Sequence, residues 1–177
     1  MPPEHEHSRD RPHVPAGETG MEAADSVSLV VFRLGTQWLA LSTQVVKEVT
    51  EMLTIRSIPQ RTTEVLLGLV NLRGELQLCI SLKGILGLDN AYVRGREDGQ
   101  PRTARLMVIE KEGDGWIFPA DEVLGVFPFA PGEVHELPST PTEGGVPARK
   151  GMVYWQERAV SYLDETVLFD TLKRRIS

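Results

Sequence analysis

Trp38-Leu39-Ala40-Leu41, followed by Gln44-Val45-Val46-Lys47-Glu48-Val49, recurs 78 residues further on as Trp116-Ile117-Phe118-Pro119 and Glu122-Val123-Leu124-Gly125-Val126-Phe127, with no gap between the two blocks. Outward from these blocks, Gly68-Leu69-Val70 and its hairpin up to Leu82 resemble Gly151-Met152-Val153 and the hairpin around Gln156-Glu157-Arg158 up to Leu163, with a two-residue gap. From Ser28 onward the apolar runs are short and separated by Gly, Pro and charged turns, which predicts many short strands. Hairpins are predicted for 28–34 with 37–41 around Gly35-Thr36, for 104–110 with 116–118 around 112–115, and for 69–72 with 76–82 around Arg73-Gly74. Each repeat ends in a helical stretch, Leu82–Leu88 and Asp164–Arg175, the second with Leu168, Leu172 and Ile176 at four-residue spacing and Asp164 as N-cap. A half of about 70 residues buries too little apolar surface to stand alone, so two similar β units sharing a packed seam are expected.

The first 26 residues hold four of the twelve prolines and three of the four histidines, with no apolar periodicity, and read as a disordered tail. Residues 1–27 carry six acids against two bases, leaving only −2 of the formal net charge of −6 to the rest. That balance, together with an aromatic content of 6%, argues against nucleic-acid binding, which draws on clustered Lys and Arg and on stacking platforms. No run approaches the roughly 18 apolar residues of a membrane span, and no basic-then-apolar leader opens the chain, so a cytoplasmic protein is expected. Cys79 in Leu78-Cys79-Ile80 reads as a buried strand residue.

Catalytic signatures are lacking: there is no phosphate-binding Gly-rich loop, no His-Glu-x-x-His and no Gly-x-Ser-x-Gly. His5, His7 and His13 lie in the tail without Cys or carboxylate company, so no metal or other cofactor is expected. Asp121-Glu122 and Asp164-Glu165 read as caps and turns, and His135 as an exposed loop residue. An enzyme or small-ligand barrel would need a pocket converging on His135, Asp121 or Cys79. What stands out instead is a charged pair framed by apolar residues, Glu48 within Val45–Val49 and Arg73 at the tip of Val70-Asn71-Leu72-Arg73-Gly74. Such framing suits a surface that meets another protein; an ordinary surface ion pair, or two unrelated solvated charges, is the plain alternative.

The run Phe32-Arg33-Leu34-Gly35, Trp38–Leu41, Val45–Val49, Ile58-Pro59 and Leu67-Gly68-Leu69-Val70-Asn71-Leu72-Arg73-Gly74-Glu75 resembles the CheW family of bacterial chemotaxis coupling proteins. Gly-x-Val-Asn-Leu-Arg-Gly is its most specific part, and the likeness covers about residues 28–176. The resemblance implies an all-β fold of two pseudo-repeated five-stranded Src-homology-3-like barrels packed together, with short helices and a C-terminal helix. The CheW-like domain would span 27–177, divided into subdomains 27–92 and 93–177. It implies no catalysis and no cofactor. The implied partners are the cytoplasmic tip of a methyl-accepting chemoreceptor and the regulatory domain of a CheA-type histidine kinase, with other CheW-like proteins as neighbours in array rings. Glu48 and Arg73, with Val46 and Val49, would meet the receptor, and Gly68 would lie in the kinase-contacting segment. Leu78 and Ser81 stand where the family usually has Pro and Asp, which leaves room for a paralogue in a non-flagellar pathway. A decoy that occupies kinase or receptor without coupling them is the alternative.

Overall fold

The computed structural model describes residues 25–88, 101–137 and 149–176. Most of the tail expected over 1–26, and the greater parts of the connections 89–103 and 131–149, lie outside the described residues. The strands are β1 (Val27–Leu34), β2 (Gln37–Ser42), β3 (Val46–Glu51), β4 (Leu66–Leu72), β5 (Glu75–Ile80), β6 (Arg105–Lys111), β7 (Asp114–Ala120), β8 (Glu122–Phe129), β9 (His135–Glu136), β10 (Arg149–Trp155) and β11 (Arg158–Leu163). Helix α1 (Leu82–Ile85) follows β5, and α2 (Glu165–Ile176) follows β11. Both helices begin as the residue types dictate: Ser81 Oγ accepts the Gly84 N–H at 3.1 Å, and Asp164 Oδ1 accepts that of Val167 at 3.2 Å. The three predicted hairpins are present. The first helical stretch is shorter than expected, and β9 is a strand where a loop was expected, because its two residues pair with β10.

The strands form a six-stranded sheet in the order β8-β1-β2-β11-β10-β9 and a five-stranded sheet in the order β3-β6-β7-β5-β4. Neither sheet is made by one repeat alone. Hairpin β1–β2 joins the later strands through β8 and, in parallel, β11; hairpin β6–β7 joins the earlier strands through β3 and, in parallel, β5. A division at residue 92 therefore separates two stretches of sequence but not the two sheets. The repeat holds throughout, and its second block is regular: β4 and β5 map onto β10 and β11 at a constant offset of 83, so Ile80 rather than Leu82 matches Leu163 and no gap is needed.

Each sheet curls until its own chain closes it. The segment leaving β3 reaches the far edge of the five-stranded sheet, where Arg56 and Leu69 exchange backbone hydrogen bonds of 2.9 and 2.7 Å. The segment leaving β8 does the same as β9, pairing His135 with Met152. At both closures the strand bulges and a buried glycine follows, Gly68 and Gly151. A Cβ on Gly68, whose φ is +150°, would be driven into the Arg56 carbonyl; one on Gly151 would lie 3.1 Å from the His135 carbonyl oxygen. Only glycine admits the first approach.

Closure gives each barrel a small interior. Leu29, Val31, Ala40, Phe129, Val153, Val160 and Tyr162 fill one, and Val70, Leu72, Cys79, Leu106, Val108 and Ile117 the other. The opposite faces of the same strands make the largest apolar cluster, between the barrels, where Phe32 of β1 meets Phe118 of β7 with ring centroids 5.5 Å apart and α2 adds Leu168, Phe169 and Leu172. This is why β1 and β6 read as continuous apolar runs rather than alternating ones: both of their faces are inside.

Polar ties fasten the places where the repeats cross. Asp121 is the sole residue between β7 and β8, and its carboxylate accepts the Gly35 N–H at 2.6 Å and meets Lys83 Nζ at 3.0 Å. Glu165 accepts the Ser42 N–H at 2.9 Å and faces Lys150, which also lies over the Tyr162 ring. Burial works against the charge on Lys150, but the Tyr162 side chain and the carboxylates of Glu165 and Asp164 outweigh it and raise its pKa.

Gly68→Ala is expected to destabilise the protein by about 2–4 kcal/mol, combining strained backbone with overpacking against a carbonyl that cannot retreat. Thermal unfolding should show a drop of roughly 5–15 °C. Gly151→Ala should cost clearly less, and equal losses in the two variants would refute this account of the closures.

Candidate partner-binding site

Arg73 and Gly74 form the two-residue loop between β4 and β5, with φ of +54° and +89°. Both central residues are thus left-handed, as the tightest right-twisting hairpin requires. Asn71 Oδ1 accepts the Gly74 N–H at 2.8 Å and stiffens the turn. From it the Arg73 guanidinium reaches Glu48 on β3 and donates from both terminal nitrogens, Nη1 to Oε2 at 3.0 Å and Nη2 to Oε1. Strands β3 and β4 are the opposite edges of the five-stranded sheet, so the ion pair spans the seam at which that barrel closes. The Arg73 side chain is 74% exposed and that of Glu48 26%. A pair this exposed contributes about 0–1 kcal/mol to stability, too little to account for it as a fastening of the fold.

The face of β3 opposite to the pair is apolar. A bulge at Lys47 shifts the register so that Val46 lies opposite Ile109 and Val49 opposite Met107. Ile109 and Met107 both belong to the core between the barrels, so the bulge brings Val46 and Val49 to one face, which a regular strand would not do. Val46 is half-buried against that core, and Val49 is 38% exposed. Glu48, opposite Val108, takes the other face and reaches Arg73 at the barrel's rim. Leu76, just past the turn, is 65% exposed on the face where Leu78 packs inward; it was missed at the sequence level because an apolar residue in a strand reads as core.

Gly68 is not brought to this group. It is buried at the Arg56 closure and presents no side chain, so its influence on any partner would pass through the placement of β4.

The residues that a reaction centre would have required are apart. Cys79 is inside the five-stranded barrel; His135 is exposed on the other, its ring against Tyr154 at 5.9 Å; Asp121 is engaged by Gly35 and Lys83. Glu122 pairs with Arg33 at 3.3 Å. Among the described residues no group of His, Cys, Asp and Glu is placed to hold a metal, and no helix is long and apolar enough to cross a membrane.

Two interlocked small barrels thus carry an exposed, bidentate ion pair at the seam where one of them closes. Residues 28–173 match the model of the CheW-like domain, and the chain belongs to that family of non-catalytic scaffolds. Among solved structures it is similar to the scaffolding protein TtCheW from Thermoanaerobacter tengcongensis, at 26% identity over 81% of this chain and 92% of that one, with a TM-score of 0.65. No curated protein matches the chain. Family membership makes it an adaptor of chemotaxis signalling rather than an enzyme.

Burial pushes the Cys79 thiol up to about 12. The native thiol should resist a thiol-titrating disulfide at pH 8 and react once the protein is unfolded. Because the folded-state pKa lies above the unfolded one, stability from this group is full below about pH 9 and falls as pH rises toward 12, by up to about 1.4 kcal/mol per pH unit. A Cys79→Ala variant should lose that alkaline slope; an unchanged slope would refute the assignment.

Proposed function

We propose that the protein couples the cytoplasmic tip of a methyl-accepting chemoreceptor to the regulatory domain of a CheA-type histidine kinase, acting in the cytoplasm at membrane receptor arrays. The observation that carries this reading is the exposed Glu48–Arg73 pair, which has little to contribute to the fold itself and lies at a rim whose opposite face leaves Val49 and Leu76 exposed. In this reading Val46, Glu48, Val49 and Arg73 form the receptor-facing surface: an apolar contact supplies the area, and the planar guanidinium–carboxylate pair fixes the register of whatever docks on it. Gly68 then acts on the kinase side by holding β4 in place. Coupling by such a protein is a free energy between two binding sites and involves no chemistry. Other CheW-like proteins would be its neighbours in array rings.

Arg73→Glu sets two carboxylates against each other. It should leave the melting temperature within about 4 °C of the parent, since a pair this exposed contributes about 1 kcal/mol at most, while lowering affinity for a receptor-tip fragment at least tenfold in a pull-down or titration. Retained receptor binding would refute the surface assignment. In a reconstituted array the parent should raise kinase activity as it is added; steady inhibition instead would make the protein a decoy that occupies one partner without coupling it.

A further inference from the structure

A second cluster lies at the end of the six-stranded barrel where β1 turns into β2. The Arg158 guanidinium carbon is 4.6 Å from the centroid of the Trp38 ring and 5.9 Å from that of Trp155, so the group is held against two indoles. Trp155 in turn meets Phe127 with centroids 4.9 Å apart, and Arg33 approaches the Trp38 ring at 5.9 Å. The two arginines differ in one respect. Arg33 is committed, to Glu122 at 3.3 Å and to the Gly35 carbonyl at 2.8 Å. Arg158 is exposed, and among the described residues no oxygen accepts any of its N–H groups. Its five N–H donors are therefore available to an acceptor from outside the described residues.

A stacked, unpaired guanidinium is a pre-formed fork for a carboxylate: the orientation is set before binding, so little rotamer entropy remains to be lost. Tryptophan and arginine are also the residues that dominate protein contacts energetically. We propose that Arg158 anchors a docking site for a carboxylate-bearing segment, and that the segment is the chain's own N-terminal stretch, residues 1–24. This site belongs to the other barrel from Glu48 and Arg73, and its argument is independent of the adaptor reading.

Charge and reach select the occupant. Residues 1–24 carry Glu4, Glu6, Asp10, Glu18 and Glu22 against Arg9 and Arg11. The stretch joins the fold at Val27, and Trp38 pairs with Arg33, so the site lies one strand length away, about 20 Å. At about 3.3 Å per extended residue Glu22 falls short at roughly 17 Å, whereas Glu18 reaches roughly 30 Å and Asp10, Glu6 and Glu4 have slack. A tether of this length gives a local concentration on the order of millimolar, so even a weak contact is populated. The proposed docking makes the tail a resident competitor for any acidic partner of this face.

The test uses the full chain and the indole N–H resonances of its three tryptophans, with Trp116, buried between the barrels, as the internal standard for folding. Neutralising the reaching acids together (Glu4→Gln, Glu6→Gln, Asp10→Asn, Glu18→Gln) should shift the Trp38 and Trp155 resonances and leave Trp116 in place. Salt at about 1 M, where screening is effective beyond about 3 Å, should produce the same shift. In an Arg158→Gln background, with Trp116 unmoved, neutralisation should produce no further shift. The proposal is overturned if neutralisation leaves Trp38 and Trp155 unmoved, or if the shift survives Arg158→Gln. A shift that depends on protein concentration would give the site to the tail of a second copy and overturn docking in cis.

Discussion

Everything in this structure depends on the exchange of hairpins between the two repeats. β1–β2 cannot form a barrel with β3–β5, because its hydrogen-bonding edges are taken by β8 and β11; β6–β7 is held in the same way by β3 and β5. Each barrel therefore exists only when both repeats are present, and the strands that cross are the ones buried on both faces. The apolar cluster between the barrels follows directly, since the outer faces of the exchanged hairpins have nowhere else to go. A shared core of this kind also removes the choice of how the barrels sit against each other. The ties at Asp121 and Glu165 lie at the crossings and supply direction rather than driving force.

The exchange also explains the position of the Glu48–Arg73 pair. A barrel closed by its own chain has one seam where opposite edges approach, and in the five-stranded barrel that seam runs from the backbone bonds of Arg56 and Leu69 to the side chains of Glu48 and Arg73. At one end the approach is so close that only Gly68 fits. At the other the edges are bridged by long side chains whose heads are in solvent. The same seam thus passes from a buried, sterically fixed junction to an exposed one that a partner can reach.

Much of this was legible in the sequence, and the limits have physical causes. The repeat, the three hairpins and the Glu48–Arg73 pair could be read because each leaves a local signature: a fixed offset, a turn with glycine, charges framed by valines. The hairpin exchange leaves none. An offset of 78 is the same whether a hairpin pairs within its repeat or across to the other, and only the long-range hydrogen bonds distinguish the two. The bulge at Lys47 is equally silent, yet it decides that Val46 and Val49 share a face. β9 was hidden because two residues in a Pro- and Gly-rich stretch carry no period. The stacking of Arg158 on Trp38 joins residues 120 positions apart, and nothing near either one announces the other.

Since each barrel borrows its hairpin from the other repeat, two separate copies of a single repeat would build this same object as a symmetric dimer, with identical rims at its two ends. Symmetry would then bind the rims to one chemistry. Joining the repeats in one chain lifts that obligation: the position that carries Glu48 in one barrel carries Val126, 58% exposed, in the other, and Gln156 stands where its counterpart is Arg73. The duplicated chain keeps the dimer's architecture and gains two ends that can diverge, so a fold that would have met the same partner twice can meet two different ones.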